Sequence, residues 1–515
     1  MLKRLPIGKQ DFPSLIEGGF LYVDKTQLIH TLTQKAPYIF MARPRRFGKS
    51  LLVSTLITLF KGQKEYFKNL WIEDKVDWKI WPVVHIDFNK MDYLNLPLEE
   101  ELARTIDEEA AKNGVQLHQT GAKSKFAELL GLLGKSVVLI DEYDKAITDC
   151  IENHAAERMH HHIDILKNFY GTLKSADPYL HFVFITGVSK FGKVSIFSDL
   201  NNLYDATEDQ SLAQITGWTQ TELETNFMPY LTAVAQETKQ DISTILQAVK
   251  NWYNGYSWDG VTTLYNPFSI LNYLNSGGTL RNYWFSTGTP TFLTKMLRQK
   301  QMPSYRFEDI VTDSIILDSA DVSNIDLDAL LLQTGYLTIK SIERNNDRLT
   351  YHLTYPNQEV KQAFLKYILA EYLQLPPQQA NNTYTQKIQT ALVNEDLSQF
   401  FEILQSIYAA VPYQITGNKE AYFHSILHVV LSLTGYLVFS EVPTNKGRMD
   451  AVLDIGQSIY IFECKLQDSE QTALQQIKNN DYAKRFQQSG KRIVLVGIAF
   501  SAIDKNIKNW VSEVV

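Results

Sequence analysis

The chain has 515 residues, 44% of them hydrophobic and 21% charged, with a formal net charge of −7. Such ordinary globular proportions exclude long disorder, and at ~100 to 200 residues per domain the length suits about three domains. The acidic balance argues against a generic nucleic-acid coat, and two cysteines far apart, Cys150 and Cys464, support neither a disulfide framework nor a thiolate metal site. The first residues lack an apolar signal core and no run of ~18 apolar residues occurs. That predicts a cytoplasmic chain with no membrane segment.

In chain order, Tyr38 to Met41 reads as a buried strand, followed by a basic loop and an apolar helix. The segment Arg43, Pro44, Arg45, Arg46, Phe47, Gly48, Lys49, Ser50, Leu51 is built as a phosphate-binding loop is built. Loop amides and the helix N-terminus receive phosphate oxygens, Lys49 reaches the β and γ phosphates, and Ser50 offers a hydroxyl to Mg²⁺. The first glycine of the usual pattern is Arg43, and Pro44 removes a donor. Taken alone, FGKS reads more readily as an ordinary helix start with a serine near the cap. Its context argues otherwise. Ser136 to Asp144 supplies an apolar strand ending in Asp141, placed to hold Mg²⁺ through water, and Glu142, placed to polarise the attacking water. Phe182 to Thr186 reads as the next parallel strand, with Thr186 at its end to sense the γ-phosphate. Ser189, Lys190 and Lys193 are weaker candidates. His154 and His160 to His162 read as polar helical surface, since adjacent histidines on a helix face different ways.

Thr219 to Val249 has helical spacing and opens with a capping pattern, Thr219 to Glu222. Asn251 to Gly260 reads as a hairpin whose Trp252, Tyr253, Tyr256 and Trp258 serve the core rather than stack bases, and Pro267 starts a helix. Leu330 to Lys340 and Arg348 to Val360 read as two strands flanking Arg344 to Asp347, with a helix from Asn357. This order fits a winged-helix-like module. Gln374 to Thr385, with Pro376 and Pro377, reads as a linker.

Beyond it, Lys419 to Leu431 reads as a helix carrying Glu420 and His424 one turn apart. Then come Asp450, a turn between Ile455 and Ser458, and an apolar strand running into Glu463, Cys464 and Lys465. Alternation puts Glu463 and Lys465 on one face and Cys464 in the core. Antiparallel pairing across that turn sets Asp450 directly opposite Glu463. Two carboxylates can hold Mg²⁺, and the lysine can position or activate water and stabilise charge on a phosphate. An acid facing Glu-x-Lys also recurs as a solvated strand face. A central apolar strand makes that costly, because a buried charge needs a partner. A following helix carries Gln476 and Tyr482. Lys484, Arg485, Lys491 and Arg492 read as solvated ends before they read as a nucleic-acid face.

The segment from Glu420 to Gln476 resembles the PD-(D/E)XK nuclease superfamily. The resemblance implies Asp450, Glu463 and Lys465 as its catalytic core, with Glu420 and Gln476 orienting metal or water; no proline precedes Asp450. His424, on an apolar helix, reads more readily as a hydrogen-bonded core histidine than as a ligand. Ile7 to Thr26, RPRRFGKSLL, LIDEYDKA and ITGVSKFGKVSIFSDLNNL are similar to the AAA-ATPase-like family often fused to PD-(D/E)XK domains in bacteria. In that family RPRRFGKS replaces the glycine-rich loop. The resemblance therefore implies nucleotide contacts by Arg43, Arg45, Arg46, Phe47, Gly48, Lys49, Ser50, Leu51, Asp141 and Thr186. Tyr22, Asp24 and Lys25 receive no role.

The expected fold is α/β in three parts. These are an AAA-ATPase-like P-loop domain with a parallel sheet over 1–218, a helical and winged-helix-like connector over 219–375, and a PD-(D/E)XK nuclease-like domain over 380–515. The expected activity is ATP-Mg²⁺ binding and hydrolysis joined to metal-dependent hydrolysis of nucleic acid, DNA ahead of RNA. The competing expectation is an ATP-dependent switch or scaffold that binds nucleic acid or protein without cleavage. A homo-oligomer is compatible with either, but no arginine identifies itself as a trans-acting finger.

Overall fold

The structure, a computed structural model, describes residues 2–152, 155–190, 196–197, 200, 202–285, 307–313, 326–345, 348–375, 377–411, 420–443 and 448–515. The expectations placed on His154, Lys193, Asn346, Asp347 and Pro376 lie outside these residues. The fold is mixed α/β, and contacts divide the chain into two compact units. The first comprises Met1–Trp284 and Ile310–Gln358, the second Phe285–Asp309 and Glu359–Val515.

The first unit is built on five parallel strands, β1 (Tyr38–Ala42), β2 (Val83–Asp87), β3 (Ser136–Asp141), β4 (Leu180–Gly187) and β5 (Tyr204–Asp205), in the order β2-β3-β4-β1-β5. Side-chain alternation fills both faces. Tyr38, Phe40, Val138 and Ile140 enter one apolar core, while Ile39, Met41, Val137 and Leu139 enter the other. Both faces are therefore covered, which is why β1 and β3 read as continuous apolar runs. β1 leads through the basic loop into the helix Lys49–Phe60, and β3 ends at Asp141, so both chemical segments lie at the carboxyl edge where open α/β sheets bind ligands.

The helix Gln220–Thr238 opens with a capping box formed by Thr219 and Glu222, as its sequence predicts. Asn251 to Gly260 does not form a hairpin ladder, because Asn251 to Tyr253 ends the helix Ile242–Tyr253. Isolated bridges, Tyr256 to Leu264 and Trp218 to Tyr265, stitch the loop that follows, and Tyr253, Tyr256 and Trp258 are buried. Pro267 begins a helix, Pro267–Asn275, capped by Asn266. Leu330 to Thr334 belongs to a helix, Leu327–Thr334, rather than a strand. Asp326 caps its start, and Gly335, at φ +90°, ends it. The strands that follow, β7 (Thr338–Asn345) and β8 (Arg348–Thr354), pair antiparallel, with β6 (Ile310–Asp313) on the far side of β8.

In the second unit the expected linker is replaced by a helix, Pro377–Val393. Pro377 takes its first position, where the missing N–H removes no helical bond. The sheet order is β13-β12-β11-β10-β9, from β9 (Leu437–Pro443), β10 (Arg448–Ile455), β11 (Ser458–Leu466), β12 (Arg492–Ser501) and β13 (Asn506–Val514). Only β11 and β12 pair in parallel, and β11, in the centre, is buried from Ser458 to Cys464. The helix Glu470–Asn479 packs on β11 and β12. It stops before Tyr482, because Asp481 turns left-handed at φ +55° and a 3-10 segment follows.

Candidate functional site

Gly456 and Gln457 form the tip between β10 and β11, with Ile455 paired to Ser458. That register runs to Ala451 opposite Phe462, so its next step sets Asp450 opposite Glu463. The Glu463 Oε1 accepts a hydrogen bond from Lys465 Nζ at 3.1 Å, while its buried Oε2 has no hydrogen-bond partner. Burial, then the charge of Asp450, push the Glu463 carboxyl up to about 7 against the pull of Lys465. Burial would lower the Lys465 ammonium, but Glu463 together with Asp450 and Glu420 outweighs burial and raises it. Asp450 Oδ2 accepts from the Cys464 backbone N–H at 2.7 Å and lies 3.5 Å from His424 Nε2. Glu420 Oε1 stands 3.7 Å from the same imidazole nitrogen.

The structure thus brings Glu420, Asp450, Glu463 and Lys465 together, and it adds His424 to them. Donor atoms of His424, Asp450 and Cys464 lie within 4.8 Å of one another, a spacing one cation can span. Cys464 is fully buried, and burial holds its thiol protonated, in keeping with a core residue. Gln476 is half-buried on its helix. Among the described residues no hydrogen bond joins its side chain to Asp450, Glu463 or Lys465. Two acids beside an unpartnered buried carboxylate oxygen fit a divalent cation, because a cation would relieve both burial and like-charge repulsion.

The phosphate-loop segment has the same character. Gly48 adopts φ +92° at the head of its helix, and open space lies where a Cβ would project. Lys49 is buried, 3.3 Å from Glu142 Oε1 and 3.3 Å from the Pro44 carbonyl. Ser50 stands beside Asp141 and favours its charged form, and the Asp141 Oδ1 is buried with no hydrogen-bond partner among the described residues. Burial and the neighbouring Glu142 push Asp141 up to about 6. Glu142 itself sits at φ +57°, a conformation costing a non-glycine residue about 1 kcal/mol or more. Lys49, Ser50, Asp141 and Glu142 therefore converge and fit a magnesium-bound phosphate.

Other expected nucleotide residues have side chains engaged elsewhere. Arg43 is buried, donating to the carbonyls of Ala42 and Thr207 at 3.0 and 2.6 Å and stacking 4.8 Å from the Trp258 ring centre. Arg46 lies over Phe268, Phe47 packs on Tyr256 and Trp258, and Leu51 packs on the core under the sheet. Arg45 contributes its carbonyl to Trp284. The Thr186 hydroxyl donates to the Met41 carbonyl at 2.8 Å, tying β4 to β1.

Sequence reasoning passed over Asp144, the last acid of the same segment. It is fully buried and accepts from Val188 N, Ser189 N and Ser189 Oγ, which fastens the end of β3 to the end of β4. The YVDKT segment is anchoring. Asp24 accepts from Thr26 N and Trp71 N, and the buried Lys25 binds Glu222 at 2.6 Å and the Gln214 carbonyl. Lys190 pairs with Glu208 and Asp205. His160 and His161 are exposed, but His162 is not surface. It is buried, 2.9 Å from the Ala146 carbonyl and 3.6 Å from Cys150 Sγ, because a neighbouring helix covers its face. Lys484, Lys491 and Arg492 each pair with an acid.

Comparison with known proteins matches this arrangement. The family model described as "Predicted AAA-ATPase" matches residues 6–197, and that of the PD-(D/E)XK nuclease superfamily matches 418–510. The "Uncharacterized protein in vnfD 5'region" of Azotobacter chroococcum mcd 1 is 33% identical over 528 residues, spanning 99% of each chain. Among the described residues no helix is long and apolar enough to cross a membrane. The chain belongs to the family of proteins that join an N-terminal AAA-ATPase-like domain to a C-terminal PD-(D/E)XK nuclease-superfamily domain.

Proposed function

We propose that this protein binds and hydrolyses ATP with Mg²⁺ in its first unit and, in its second, hydrolyses phosphodiester bonds of nucleic acid, DNA ahead of RNA, in the cytoplasm. The observation that carries the nuclease reading is the convergence of Asp450, Glu463 and Lys465, with one Glu463 oxygen buried and unpartnered. Asp450 and Glu463 would hold the divalent cation, with His424 and Glu420 beside Asp450. A bound Mg²⁺ supplies Lewis acidity toward phosphate oxygens and lowers the pKa of coordinated water. Lys465, held by Glu463, is positioned to orient water and to stabilise negative charge on the phosphate.

In the first unit, Ser50 and Asp141 would hold Mg²⁺ and Lys49 the β and γ phosphates. Lys49 has one ammonium to share. Phosphate oxygens would draw it from Glu142, which frees that carboxylate to orient the attacking water.

The net charge of −7 favours a second reading, a nucleotide-dependent switch whose C-terminal domain binds without cutting. Lys465→Ala separates the two. Loss of one catalytic acid–base or charge-stabilising group is expected to slow cleavage by about 10²-fold or more. A cleavage rate untouched by this change would rule out the proposed nuclease site.

A further inference from the structure

The phosphate loop is shaped from outside itself. Arg43 is fixed by the Thr207 carbonyl and the Trp258 ring. Pro44 lies so close to Gly335 that a Cβ there would come within 2.8 Å of the Pro44 Cβ. The Arg45 carbonyl accepts a hydrogen bond from Trp284 Nε1 at 3.0 Å. Phe47 is buried edge-on against Tyr256 and Trp258, with ring centres 4.7 and 5.5 Å away, and its carbonyl accepts from Gly217 N at 3.3 Å. All five residues from Arg43 to Phe47 are thus contacted by residues that follow β5 in the chain, Arg46 through its guanidinium over the Phe268 ring, and all lie in the same compact unit.

A glycine-rich loop takes its shape from its own backbone freedom. Here the loop begins Arg-Pro-Arg-Arg-Phe, and Arg46 sits at φ +71°, which a non-glycine residue holds only when its surroundings enforce it. The enforcing groups are an indole N–H on one carbonyl, an aromatic pair around Phe47, and a glycine that admits Pro44. Resting on the nucleotide-binding reading above, we propose that Trp284, Trp258 and Gly335 are positioning residues for the phosphate loop, so that the nucleotide site is complete only while this middle segment is docked on it. None of the three touches phosphate in this account. They act by holding the amides of residues 45–48 in the conformation that receives it, and linkage makes the effect reciprocal, so nucleotide tightens the docked segment.

Trp284→Phe keeps an aromatic ring against Tyr336 while removing the N–H donor and part of the indole's bulk, and Trp258→Phe keeps a ring against Arg43 and Phe47 where Trp258→Ala does not. The full-length chain and these variants are compared by hydrogen–deuterium exchange over residues 43–50 without nucleotide, and by titration with a fluorescent ATP analogue and Mg²⁺. Trp284→Phe is expected to speed loop exchange and weaken the analogue about fivefold, the effect of one lost hydrogen bond, while the chain stays folded. KM for ATP should rise more than kcat falls. Trp258→Phe should stay nearer wild type than Trp258→Ala in both readouts. Unchanged loop exchange and affinity in Trp284→Phe and in folded Trp258→Ala would overturn the proposal. Faster loop exchange in the variants, with no analogue bound even by wild type, would uphold the positioning and overturn the nucleotide reading alone.

Discussion

Glu463 and Asp141 each present a buried carboxylate oxygen without a hydrogen-bond partner, next to a second acid. A fold keeps such an arrangement at the expense of stability, and a cation would relieve it. Asp450→Asn tests this. Asparagine retains an acceptor for the Cys464 N–H while removing the charge that faces Glu463. The variant should melt no lower than wild type without metal, yet lose the stabilisation that a divalent ion gives wild type, about 2.7 kcal/mol at a hundredfold excess over Kd and read as a rise in melting temperature. An equal metal-induced rise in both proteins would contradict it. The facing of Asp450 and Glu463 was legible in the sequence, because a tight turn and the two-residue period of a strand fix register together. Helical spacing reveals Glu420 as the neighbour of His424, but the approach of His424 to Asp450 is tertiary. The direction of the Arg43 guanidinium was likewise illegible, since Trp258 and Thr207 lie far along the chain.

Elements position these residues through a few close approaches. Gly497 on β12 pairs with Glu463, and a Cβ there would meet the Glu470 carbonyl at 2.3 Å, so only glycine admits the helix Glu470–Asn479 at this depth. Gly497→Ala should destabilise the protein by about 1 to 3 kcal/mol through overpacking, read by denaturant or thermal unfolding. A neutral effect would mean the helix does not sit there. Glu308 gives the second unit a pH signature. Burial alone would raise its carboxyl, but the hydrogen bond and charge of His428 and the ammonium of Lys361 outweigh it and bring it from 4.5 to about 2. A carboxyl depressed in the folded state adds stability above its unfolded value, and that contribution is lost as the pH falls through its folded value. Wild type should therefore exceed Glu308→Gln in stability above pH 4.5, with the gap closing toward about pH 2. A gap independent of pH would contradict the assignment. Sequence pattern placed the parallel strands and the capping box, where periodicity and caps are strong. It failed at Leu330 to Thr334 and at Pro377, because a short apolar run suits helix or buried strand and proline opens helices as readily as it marks linkers.

For the whole molecule, the two chemical segments fall in separate compact units. The middle of the chain is shared between them. Its portion before Phe285 and its three-stranded sheet join the first unit, through contacts such as Tyr351 to Glu208 and the close approach of Gly255 to Pro356. Such partition follows long-range packing and leaves no local pattern to read. With the proposed nucleotide and phosphodiesterase sites in one chain, ATP would have an opportunity to control cleavage, and ATP dependence is measured in the same experiment as cleavage itself. That experiment incubates labelled single-stranded and duplex DNA and RNA with the full-length protein, Mg²⁺ or Mn²⁺, with and without ATP, beside Asp450→Ala. The account predicts metal-dependent cleavage by wild type and none by the variant. Absence of cleavage by wild type under every condition, or equal cleavage by Asp450→Ala, would contradict it.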